Sequence, residues 1–71
     1  MSPGDFLNYA RSKGCVHEMS DNENMYKLTN KLGGKCYVFA RYKRLYHRTA
    51  VLYCIDLGIP IISEQEYNSY E

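Results

Sequence analysis

Apolar positions along the chain alternate between two periods, and each change of period marks a predicted element. Phe6, Leu7, Tyr9 and Ala10 recur at helical spacing, which predicts a helix over 3–13. Ser2 precedes it as N-cap, Pro3 occupies the first helical position and Asp5 the third, an arrangement that suits a capping box. Gly14 supplies a left-handed stop. From Cys15 the period falls to two. Cys15, His17 and Met19 share one face of a strand over 15–20, and Tyr26 and Leu28 alternate with polar neighbours over 25–30. The segment CYVFA at 36–40 has the strongest β composition and predicts a strand over 35–41. Asp21-Asn-Glu-Asn24 and Lys31-Leu-Gly-Gly34 are the intervening turns. Helical spacing then returns at Tyr46, Ala50, Tyr53, Cys54 and Leu57, widened by Leu45, Leu52 and Ile55. This predicts a second helix from about Lys43 to Leu57, buried over more than half its girth and ended by Gly58. Ile59-Pro-Ile-Ile62 reads as an edge strand or a packed tail, since Pro60 cannot donate to a ladder. Ser63-Glu-Gln-Glu66 reads as a second capping box that opens a short helix.

The order predicts an α+β fold: α-β-β-β-α, a three-stranded antiparallel sheet packed by helices on one face, with a short C-terminal strand and helix appended. The 71 residues make a single small domain. A 45% apolar composition favours folding over disorder.

Charge sharpens this picture by its placement. The formal net charge is only +1, yet 7 of the 9 Lys and Arg residues fall within Lys27–Arg48, a stretch without Asp or Glu. Around the predicted start of the second helix, Arg41, Lys43, Arg44 and Arg48 gather where the helix dipole disfavours cations, and Asp56 stands in the last turn where it disfavours anions. Such bases suit a bound anion, because helix N–H groups and guanidinium groups would converge on one phosphate or carboxylate. The plainer reading is a solvated basic surface with Arg44 and Arg48 paired to Glu18, Glu64 or Glu66. Tyr42 and Tyr46 interleave with the bases; Tyr42 is the better placed to stack on an unpaired nucleobase, and Tyr46 falls on the predicted buried face.

Other chemistry is weakly signalled. Cys15, Cys36 and Cys54 lack the paired spacing of a zinc site and read as small core residues. An odd cysteine count opposes a closed disulfide framework, and the opening Met-Ser-Pro-Gly-Asp lacks the basic and apolar regions of a secretory signal. The expectation is a cytoplasmic chain with reduced thiols and no cofactor or metal. No apolar run approaches the roughly 20 residues of a membrane span. His17 and His47 could form an acid–base pair. The period instead makes His17 a partly buried structural residue and His47 an exposed phosphate contact. Lys31-Leu-Gly-Gly-Lys35 lacks the Walker spacing and is a hairpin turn.

Assembled in order, FLNYARSKG, CVHEMS, MYKLTN, KCYVFAR, a helix and LGI resemble the HicA toxins of bacterial toxin–antitoxin pairs over about residues 5–59. That resemblance implies a double-stranded-RNA-binding-domain-like fold and an RNA partner. The family's mRNA-cleaving histidine lies on a segment that matches Asp21-Asn-Glu-Asn-Met25, which has no His. Asn24 can hydrogen-bond there but cannot act as a general base. The last quarter, LGIPIISEQEY, also looks like the final strand and helix of BRCT domains.

The resulting expectation is a non-enzymatic nucleic-acid-binding regulatory module, RNA before DNA. Lys35, Arg41, Lys43, Arg44, His47 and Arg48 would hold phosphates, and Tyr42 would stack. The alternative is a small inhibitor or regulator, of phage or toxin–antitoxin type, that docks the same face on an acidic protein partner. A HicA-like ribonuclease is the third reading. An exposed β edge offers one route to a homodimer.

Overall fold

The computed structural model describes residues 1–18, 20–22, 24–39 and 43–70. Its elements are helix α1 (Pro3–Ser12), strands β1 (Cys15–Glu18), β2 (Met25–Asn30) and β3 (Lys35–Phe39), and helices α2 (His47–Leu57) and α3 (Glu64–Asn68). The strands form one antiparallel sheet in the order β1-β2-β3. The α+β class and the antiparallel meander are therefore as the sequence predicts.

α1 forms where its local signals converge. The Ser2 hydroxyl accepts from the Asp5 N–H at 3.0 Å, and the Asp5 carboxylate accepts from the Ser2 N–H at 2.9 Å. This reciprocal box satisfies two of the donors that a helix start leaves open. Gly14, with φ 93°, turns the chain into β1. The β2–β3 hairpin closes through Gly33 N–H to Asn30 O at 2.8 Å and Asn30 N–H to Gly34 O at 2.9 Å, with φ 100° at Gly33.

Register pairs His17 with Leu28, Tyr26 with Val38 and Leu28 with Cys36. Directly opposed residues share a face, so Cys15, Leu28, Cys36 and Val38 all point under the helices, and all are buried. Phe6, Tyr9 and Ala10 of α1 and Ala50, Cys54 and Leu57 of α2 meet them. The helices thus cover one side of the sheet only. The shortest molecular extent is 17 Å, two layers thick.

α2 departs from expectation at its start. It begins at His47, not Lys43. Leu45 is tied on both sides by remote residues: its N–H donates to Met1 O at 2.7 Å, and its carbonyl accepts from the buried Tyr67 hydroxyl. These contacts anchor Leu45 to the N-terminus and to α3, and the ladder opens one residue later with Ala50 N–H donating to the O of Tyr46, the N-cap. The buried stripe is also narrower than predicted. Tyr46, Leu52 and Ile55 are 69%, 54% and 57% exposed, because among the described residues no third layer covers the far side of α2.

Of the two readings for residues 59–62, the packed tail holds. Ile59 and Ile62 are buried and Ile61 is exposed, and the segment forms no strand. The Pro60 carbonyl instead accepts from the Tyr9 hydroxyl at 2.8 Å. Ser63 caps α3 by accepting from Glu66 N–H at 3.1 Å. At the other end of α2, Asn30 donates to Leu57 O at 2.8 Å, and a Cβ on Gly34 would lie 2.3 Å from that same oxygen. The β2–β3 turn therefore abuts the helix end too closely for any side chain at position 34.

Candidate nucleic-acid interface

The uncovered side of the sheet carries the complementary set of the pleat: Val16 and Glu18 from β1, Met25, Lys27 and Thr29 from β2, and Lys35 and Tyr37 from β3. Tyr37 is 47% exposed and lies directly across from Lys27. Lys35 stands two residues away on the same strand, exposed, and opposite Thr29. Lys27 reaches Glu18 at 3.4 Å, with side chains 28% and 46% exposed. An ion pair in such solvent contributes at most about 1 kcal/mol and yields readily to a competing anion. A hollow of about 300 Å³ opens beside Tyr37, lined by Ser20, Asp21, Asn22, Met25 and Lys27. Its rim is ordered by Asx and Ser turns: Asn22 N–H donates to Ser20 Oγ at 3.1 Å and Asn24 N–H to Asn22 Oδ1 at 2.9 Å.

The second basic group follows the sheet. Lys43 lies four residues beyond the end of β3, so chain length alone keeps it within about 14 Å of that end. Lys43 and Arg44 are exposed in the non-helical lead to α2. The Arg44 guanidinium lies 5.9 Å from the Tyr46 ring centroid, over a hollow of about 280 Å³ formed with Leu45 and Thr49. Arg48 is the only one of the predicted bases inside the helix. The dipole argument therefore narrows from a cluster to Arg48 at the start and Asp56 at the end. Each is worth about 0.3–1 kcal/mol in the unfavourable direction. No side chain caps the start. Among the described residues no ion pair engages Lys35, Lys43 or Arg48, and Glu18, a predicted partner for the arginines, turns to Lys27 instead. Arg41 and Tyr42 lie outside the described residues.

Both histidines are placed differently from expectation. His47 is half-buried, its Nε2 is 2.8 Å from Ile62 O, and its ring packs 5.2 Å from Tyr67. A carbonyl only accepts, so Nε2 carries the proton and ties α2 to the C-terminal tail. This contact competes with the predicted phosphate role. His17 is exposed and meets Tyr26 edge-on at 5.2 Å.

All three thiols are free and buried, as core residues. Burial pushes Cys36 up to about 12, helped by the Asp56 carboxylate and the neighbouring thiols. It raises Cys15 and Cys54 as well. Protonated thiols in this setting are poor nucleophiles and poor metal ligands. Among the described residues no three His, Cys, Asp or Glu side chains converge as a metal site, and no helix is long and apolar enough to cross a membrane.

Two residues of the open face, Lys27 and Tyr37, are not among those the sequence reading singles out. Strand parity could have found them. Once Cys36 and Val38 face the core, Tyr37 must face away, and antiparallel pairing then brings a residue of β2 beside it. No family model, curated protein or solved structure matches this chain, so the likeness to HicA toxins rests on the element order and the residues quoted for it.

Proposed function

We propose that the chain is a non-enzymatic module that binds single-stranded RNA across the open face of its sheet. The observation that carries this reading is Tyr37, half-exposed on an uncovered antiparallel sheet with Lys27 directly opposite and Lys35 on the same strand. An aromatic ring flanked by ammonium groups offers a base a stacking surface and its phosphates two counter-charges. Lys43 and Arg44 extend the phosphate path beyond β3, and the hollow beside Tyr37 has room for the edge of an unstacked base. The buried, protonated thiols fit a reducing compartment such as the cytoplasm.

The test is fluorescence anisotropy with a short labelled oligouridylate over a range of salt. Affinity should fall with salt at a log–log slope of roughly −0.7 for each phosphate contact. Tyr37→Ala should weaken binding about tenfold or more, while Tyr37→Phe retains it. Lys35→Glu should weaken binding and flatten the salt slope. Binding that ignores salt, Tyr37→Ala and Lys35→Glu would overturn the reading. A partner captured from nuclease-treated lysate through the same residues would favour an acidic protein instead.

A further inference from the structure

The outer face of α2 is self-complementary, and we propose that it is the dimerisation surface through which two copies of this chain pair about a two-fold axis at Leu52. Arg48, Leu52 and Asp56 are spaced four residues apart and form one ridge. Ile55 lies beside that ridge, three residues beyond Leu52. Leu52 and Ile55 are 54% and 57% exposed, and Arg48 and Asp56 are exposed. The opposite face, with Ala50, Cys54 and Leu57, is fully committed to the core. Arg48 and Asp56 therefore flank Leu52 symmetrically, each about 6 Å from it along the axis.

An antiparallel copy related by a two-fold axis through Leu52 places Arg48 of one protomer against Asp56 of the other, and the same pair recurs by symmetry. Leu52 meets its own copy, and Ile55 fills the groove beside it. This geometry also accounts for the charges that α2 carries at the wrong ends. In an isolated helix Arg48 and Asp56 both oppose the dipole. Beside an antiparallel partner, Arg48 lies next to that partner's negative end and Asp56 next to its positive end. Among the described residues Arg48 has no ion pair within its own chain, so a partner's carboxylate does not displace one. The face points away from the sheet, so a dimer leaves both open sheet faces outward and available.

An interface of one short helix per copy is small and predicts a concentration-dependent dimer. Sedimentation equilibrium should show the apparent mass rising from 8.3 kDa towards about twice that value as protein is concentrated. Leu52→Glu should hold it at the monomer value. Arg48→Asp makes both flanking groups acidic and Asp56→Arg makes both basic, so each variant alone should dimerise roughly tenfold less well or worse. Mixed together, these two variants should form a heterodimer, because every acidic position then faces a basic one. Neither substitution endangers folding, since each improves the match to the helix dipole. A wild-type chain that stays monomeric at every concentration overturns the proposal. So does a dimer indifferent to Leu52→Glu, or a mixture of the charge variants that fails to associate.

Discussion

α1 and α2 are nearly equal in length, 10 and 11 residues, and both lie on the same face of the sheet, yet they are built on opposite terms. α1 carries its own instructions. Its cap, its Pro, the Asp in its first turn and the Arg in its last all favour a helix at that place before any tertiary contact forms. α2 has an aromatic N-cap without a capping hydrogen bond, no acid in its first turn and no base in its last. It is held by contacts made elsewhere: Leu45 to Met1 and Tyr67 before it, His47 to Ile62 at its start, and Leu57 to Asn30 at its end. The comparison teaches that a helix can be fixed by its surroundings while its own termini and outer face stay suited to something else. In α2 that something is a surface of paired charges and exposed apolar side chains.

The comparison can be broken first where it is strongest, in the core. Phe6 is fully buried and packs against Tyr53 and Tyr9 at centroid distances of 5.4 and 6.2 Å. Phe6→Ala should lower unfolding free energy by about 3–5 kcal/mol. A domain of this length has about 4–10 kcal/mol in all, so the variant should be largely unfolded at moderate temperature, and Phe6→Leu should give a graded loss. Leu52→Ala, on the outer face of α2 and measured on dilute protein, should change stability by less than about 0.5 kcal/mol. Urea denaturation followed by circular dichroism checks both. Equal losses at the two sites would erase the distinction between committed and free faces.

The core between sheet and helices holds the groups that make the fold sensitive to alkali. Burial holds Cys36 at about 12, and burial followed by the neighbouring Cys54 and Glu66 charges holds Tyr9 at about 12. Their unfolded values are about 8.5 and 10. The folded values are the higher ones, so the native state keeps protons that the unfolded chain releases. The contribution to stability is complete below about pH 8.5 and is lost as pH rises towards 12, at up to about 1.4 kcal/mol per pH unit for each group titrating differently. Urea midpoints measured from pH 8 to 11 should therefore fall steadily. Cys36→Ala should give a shallower fall over the lower part of that range, whatever its stability at pH 7. A midpoint that does not move with pH would show that these groups are more solvated than their burial implies.

The same contrast explains what could be read from the sequence. Ser2, Pro3, Asp5 and Gly14 announce α1 within a few residues of each other, and the alternation of Tyr26, Leu28, Cys36 and Val38 announces the strands. The start of α2 is not legible, because the contacts that tie Leu45 come from Met1 and Tyr67, remote in sequence. For the same reason the sequence reads His47 as exposed, since its partner Ile62 O lies 15 residues away. Leu52 and Ile55 read as core because helical spacing reports which residues share a face, not whether another layer exists to cover it. In the candidate site, Lys35 was legible from charge alone. Lys27 and Tyr37 required the register, which pairs residues ten apart.

The smallest effects give the sharpest comparison, because they should have opposite signs at equivalent positions. Ser2 and Tyr46 are both N-caps with extended backbone, φ −84° ψ 164° and φ −77° ψ 154°. Ser2→Ala removes a made cap and should cost about 1 kcal/mol. Tyr46→Asp introduces a cap that α2 lacks, at a residue whose side chain is 69% exposed, and its charge also suits the dipole. It should therefore stabilise the fold by about 0.5–1 kcal/mol. The loss of the Arg44 contact with the Tyr46 ring, at 5.9 Å and in solvent, subtracts at most about half of that gain. Thermal melts of the two single variants and the double variant provide the check; the Leu45 N–H bond to Met1 O joins the residues next to the two caps, so the double variant also reads the coupling between them. A destabilising Tyr46→Asp would mean that the Tyr46 ring, and not the missing cap, governs the start of α2.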